Sequence, residues 1–108
     1  MKIAVLSMGS TKESLVSNSF GRAPYIIIYY TDLNQYLVTE NAGAQSKHGA
    51  GTETAEMIIK NKIDILLTKE VGVKAYSVLA KAHIDIRLLT SINTVKSAIN
   101  KYLKKQEN

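Results

Sequence analysis

Two short stretches of this chain have residue types and spacing suited to gripping an anion or a metal: Ser19-Phe20-Gly21-Arg22-Ala23-Pro24 and His48-Gly49-Ala50-Gly51. Arg22 offers a planar, permanently charged fork that fits carboxylate, phosphate and other oxyanions. His48 offers an imidazole that ligates transition metals or donates a hydrogen bond. Gly21, Gly49 and Gly51 let backbone N–H groups approach a ligand where a Cβ would stand in the way. Phe20 reads as an apolar plug that holds its loop down. A third stretch, Thr68-Lys69-Glu70-Val71-Gly72, ends in a glycine that lets a ligand approach the start of the following helix. A plainer account of each residue stands beside these. Gly49 and Gly51 can serve a tight loop with His48 solvated, and Arg22 can pair with Glu40 or Glu53. A single histidine is thin support for a metal site, because most such sites use several ligands. Lys69 by default is an exposed lysine, and Met8 is better suited to packing than to ligation.

The elements that must position these residues follow from periodicity. Strands are expected over residues 2–6, 25–30, 35–40, 63–67 and 84–89. The second is apolar on both faces, as a central strand is, and the third alternates, as an edge strand does. Helices are expected over residues 52–61 and 73–82, with a third opening after a cap at Asn93 or Thr94 and fraying after Lys105. The first buries Ala55, Ile58, Ile59 and the stem of Lys62. The second buries Ala75, Val78, Leu79 and Ala82, and the third Val95, Ala98, Ile99, Tyr102 and Leu103. Three strands in a meander followed by right-handed strand–helix–strand units give the order 3-2-1-4-5, with strand 2 antiparallel to the rest. Helices then cover both faces. This α/β arrangement resembles the ribonuclease-H-like three-layer sandwich. The carboxyl ends of strands 1, 3, 4 and 5 share one edge with the helix N-termini, the usual place for ligands in open α/β sheets. The three stretches above all lie at that edge. Asp64, Asp85 and His83 belong to the opposite one.

The 108 residues, 45% of them hydrophobic, form one domain over 1–108 with a single short tail. No apolar run approaches the roughly 20 residues that cross a bilayer. The opening Met1-Lys2-Ile3-Ala4-Val5-Leu6 is too short for a secretion signal, so a cytoplasmic protein is expected. There is no cysteine, which excludes disulfides and any metal or cluster held by the protein's own thiolates. The net charge of +5 collects on a C-terminal helix face, at Lys96, Lys101, Lys104 and Lys105. Without interleaved exposed aromatics this reads as a solvated face, and no nucleic-acid partner is expected.

In order along the chain, the 19–24 stretch, the His48-Gly49-Ala50-Gly51 helix start and Val71-Gly72-Val73-Lys74-Ala75-Tyr76 resemble the dinitrogenase iron–molybdenum cofactor biosynthesis family. This is the NifX-like domain, also found at the NifB C-terminus. The resemblance runs from Met1 to about Lys104. It implies a ribonuclease-H-like fold and the binding, carrying or insertion of iron–sulfur or iron–molybdenum clusters by a carrier or accessory protein, not an enzyme. By position, His48 matches the family histidine and metal ligand, and Arg22 the family arginine. Phe20, Gly21, Gly49, Gly51 and Gly72 complete the implied cofactor-binding set. The implied partners are a cluster donor and a cluster acceptor protein. Lys69-Glu70 departs from a glycine pair usual in the family. Glu70 would repel an anionic cluster unless it turns away or pairs with Lys69. Ala82-His83-Ile84 departs at another usual glycine.

Without thiolates, a cluster would be held by His48, backbone amides and charge, weakly enough to be passed on. Two other classes stand as alternatives. A regulatory or interaction domain with a lapsed site is suggested by Lys69-Glu70. A divalent-metal hydrolase would require Glu40, Glu53 and Glu70 to converge on one metal. The residues do not select monomer or dimer, although strands 3 and 5 are candidate edges for pairing.

Overall fold

A computed structural model of the chain describes residues 1–91 and 93–106. Its elements are β1 (Lys2–Ser7), β2 (Tyr25–Tyr30), β3 (Gln35–Glu40), a 3-10 turn (Ala42–Gln45), α1 (Ala50–Lys60), β4 (Ile65–Thr68), α2 (Val73–Lys81), β5 (Asp85–Leu88) and α3 (Val95–Gln106). The sheet order is β3-β2-β1-β4-β5, as expected. β2 runs antiparallel to β1 and β3, while β1, β4 and β5 are parallel.

β1 occupies the centre, and Ile3, Ala4, Val5 and Leu6 are wholly buried. Its side chains alternate between two cores. Ala4 and Leu6 join Ala55 and Ile58 of α1 and Ala75 and Leu79 of α2. Ile3 and Val5 join Val95, Ala98 and Ile99 of α3 on the other face. The period of two along the strand thus assigns α1 and α2 to one layer and α3 to the other.

Several boundaries differ from the expected ones. α1 begins at Ala50, not at residue 52, because Gly49 takes a left-handed conformation (φ 73°, ψ 30°) that turns the chain directly into the helix. Lys62 lies beyond the helix, itself left-handed at φ 55°, and Thr54 is buried on the helix's inner face instead. β4 starts at Ile65, not 63, yet Ile63 remains buried and Asp64 accepts the Lys2 N–H at 2.7 Å. On α2, Ala75 and Leu79 are buried but Val78 and Ala82 are exposed. β5 is confined to Asp85–Leu88, and Met8, expected to pack, is exposed. α3 remains helical to Gln106; Glu107 and Asn108, the end of the expected frayed tail, lie outside the described residues.

The long segment between β1 and β2 has two parts. Residues 8–18 fold onto the start of α3, where Ser14 and Lys12 carbonyls accept the N–H groups of Val95 and Lys96 at 2.9 and 2.8 Å. Thr94 Oγ1 accepts from Ser97 N at 3.2 Å and completes the cap. Residues 19–23 turn the other way, toward α1 and α2.

Candidate functional site

The capping of α3 singles out the other two helices. Gly49 caps α1 and Gly72 caps α2, and neither glycine has a side chain to accept from the first-turn N–H groups. Both helices lie in the same layer and pack against each other. Their positive ends therefore open onto one place, each with orphan N–H groups. There the chain leaves a hollow of about 500 Å³. Phe20 and Gly21 form one wall. The start of α1, from Gly49 to Thr52, forms the second, and Glu70 with Gly72 to Ala75 forms the third. A smaller hollow of about 230 Å³, between the end of β5 and α3, contains none of the seven residues expected at the site.

The glycines serve different purposes. A Cβ on Gly21 would stand 2.9 Å from the Gly51 nitrogen and 3.1 Å from the Ala50 carbonyl carbon. Only glycine lets this loop press its backbone against the first turn of α1. At Gly51 a Cβ would meet only the Ala75 methyl at 3.8 Å, and at Gly72 it would meet nothing within 4 Å. Those two positions keep space open; they relieve no clash.

Phe20 anchors the wall. Its ring is 1% exposed and packs in the core with Leu6, Ala55 and Ala75. Its backbone N–H donates to Glu70 Oε1 at 2.9 Å, joining segments 50 residues apart. Glu70 does not pair with Lys69, which donates to Asn18 Oδ1 at 3.0 Å.

Arg22 and His48 sit outside these walls. The Arg22 guanidinium donates to the carbonyls of Ala44 and Ser46, and not to Glu40 or Glu53. The Ser46 hydroxyl in turn donates to the His48 carbonyl and lies 3.2 Å from Glu53 Oε1. Arg22 and His48 thus come from adjoining segments on one side of the molecule. The arginine straps down the loop that carries the histidine, and His48 is exposed, directly before Gly49, which lines the hollow. We expect Arg22→Ala to cost about 1 kcal/mol, the usual value of one exposed hydrogen-bonded contact. Amide exchange should quicken over residues 44–49 and hardly change in β1. Unchanged exchange in that loop would show that the strap has no hold on it.

Asn41, which the sequence reading missed, supports the same loop from inside. It is buried, its Nδ2 donates to the Ala23 carbonyl at 2.9 Å, and its Oδ1 accepts from Gly43 N and Thr54 Oγ1, both at 3.1 Å. An asparagine directly after a strand and two residues before a glycine is a turn-capping signal that could have marked it. Ala50, Thr52, Val73, Lys74 and Ala75 also line the hollow, though none was in the expected cofactor-binding set.

Among the described residues no three His, Asp or Glu side chains are grouped to hold a metal ion, so Glu40, Glu53 and Glu70 do not share one. None of the described helices is long and apolar enough to cross a membrane.

Solved structures of other proteins share this fold. The apo form of the orange protein from Desulfovibrio gigas matches with a TM-score of 0.90 and 30% identity, over 97% of this chain and 88% of that one. A Thermotoga protein, solved by NMR and named as a candidate NifB, matches with a TM-score of 0.82 and 30% identity, over 95% of this chain and 87% of that one. Among curated proteins none matches. The model of the dinitrogenase iron–molybdenum cofactor family matches residues 1–105, and the chain belongs to that family.

Proposed function

We propose that this protein is an accessory carrier in cofactor biosynthesis, which binds a metal cluster of the iron–sulfur or iron–molybdenum type and passes it between a donor and an acceptor protein. Membership of the family supports a role in the biosynthesis or binding of the iron–molybdenum cofactor. The observation that carries the finer reading is the hollow itself, where two helix starts without side-chain caps face the same space.

The cluster is the cargo. Its sulfides or carboxylate groups would accept from the first-turn N–H groups of α1 and α2, and the glycines leave room for that approach. His48, directly before Gly49, would add one imidazole ligand. With no cysteine in the chain, no thiolate locks the cargo in place. Such a site releases its cluster readily, as a carrier in the cytoplasm must. The open hollow counts against a regulatory domain with a lapsed site. That alternative would call for a closed edge with Arg22 and His48 both solvated; His48 is exposed, but Arg22 is held by the Ala44 and Ser46 carbonyls.

Anaerobic reconstitution with iron, molybdate and sulfide is the test. The folded protein should gain visible absorption and bound metal, and His48→Ala should weaken uptake by about tenfold, or 1.4 kcal/mol. Failure of folded wild-type protein to retain any metal under these conditions would sink the carrier reading.

A further inference from the structure

We propose that Glu70 sets the charge selectivity of the hollow, by holding its own carboxylate on a donor that an incoming anion would otherwise use and giving it up when the cargo binds. This rests on the reading of the hollow as the cluster site, and deepens it.

The donor is the Phe20 N–H. Because the Phe20 ring is buried in the core, that amide cannot drift, and its direction is set by the fold. Glu70 Oε1 meets it at 2.9 Å. The backbone of Glu70 is anchored as well, since its carbonyl accepts from the hydroxyl of the buried Thr68 at 2.9 Å. The side chain between these fixed ends belongs to an exposed residue, so it can swing out to solvent without disturbing the core. Lys69 is engaged with Asn18 and does not neutralise the carboxylate. The other charged residue lining the hollow is Lys74, in the first turn of α2. Glu70 therefore cancels the charge of Lys74 and opposes the positive ends of two helices. A carboxylate in this position does two things to an anionic ligand. It repels the ligand through space, and it competes for an N–H with a charge-assisted hydrogen bond about twice as strong as a neutral one. Only a ligand that engages the first-turn N–H groups of both helices at once gains enough to displace it. A small anion that reaches one donor is turned away.

Glu70→Gln keeps the shape and an oxygen acceptor but removes the charge. The experiment compares this variant with wild type in two titrations, one with molybdate alone and one with the species assembled from iron, molybdate and sulfide, following bound metal and the Phe20 amide by NMR. Thermal melts establish that both proteins are folded. The variant should bind the assembled species about tenfold more tightly, as expected for removing one like charge a few ångströms away. It should gain measurable affinity for molybdate that wild type lacks. In wild type, the Phe20 amide resonance should move as the assembled species is added. Equal or weaker binding by the variant, with wild type binding normally, overturns the role of Glu70 and leaves the carrier reading intact. A Phe20 amide that stays still while wild type loads does the same. If neither protein takes up metal, both proposals fall together.

Discussion

Phe20→Ala is expected to lower the unfolding free energy by about 3–5 kcal/mol, the range for truncating a buried phenylalanine. Phe20 is 1% exposed and belongs to the core shared by Leu6 of the central strand and Ala55 and Ala75 of the two site helices. Its loss leaves a cavity beneath the 19–23 loop, where three elements meet. A domain of this size has about 5–15 kcal/mol in all, so roughly a fifth or more of its stability would go. In urea the midpoint should fall with the slope unchanged, since the unfolded surface is the same. Metal uptake should fall with it, because the Phe20 N–H and the Gly21 wall lose their support. A stability loss below about 1 kcal/mol would show that the loop has no need of its plug.

Gly51→Phe is expected to do the opposite, leaving the fold intact while removing the function. A Cβ at this position meets only the Ala75 methyl at 3.8 Å, an ordinary contact. Gly51 lies in the first turn of α1, so replacing glycine by phenylalanine removes a helix penalty of about 0.5 kcal/mol. The ring must enter the hollow between the starts of α1 and α2, where it covers the N–H groups proposed to bind the cluster. The melting temperature should hold or rise, while uptake after anaerobic reconstitution drops by about hundredfold or more, near 2.7 kcal/mol. Wild-type uptake by this variant would move the cargo out of the hollow altogether. The pair of variants separates the two meanings of a lost activity, since one loses its scaffold and the other only its space.

Much of the scaffold could be read from local patterns. The all-apolar run from Tyr25 to Tyr30 is buried between two cores, as its composition implies, and the alternating β3 lies at the edge. Short connections and crossover handedness were sufficient to order the sheet. Both Gly-containing stretches, with their spacing, carry the resemblance to the family. These properties depend on neighbours in sequence, or on rules that hold for every chain of this topology. The start of α1 escaped because Gly49 enters the helix through a left-handed turn, a backbone choice that glycine permits but does not announce.

What only the tertiary structure decided is which groups line the hollow. Three helices begin at the same edge; Thr94 marks α3 locally as a capped start, but carbonyls from Lys12 and Ser14, some eighty residues away, are what cover the rest of its N-terminus. Arg22 carries the same charge whether it faces an anion or straps a loop. The choice was made by the Ala44 and Ser46 carbonyls, which the chain brings within reach only when folded. Glu70 was visible as an intruder, but its partner is a backbone N–H 50 residues away, a group every residue except proline has and no sequence singles out. The amino-acid order thus determined the elements, their stacking and the family. Long-range hydrogen bonds to backbone groups, which leave no mark on residue type, decided how the start of α3 is covered and which side chains are already spoken for.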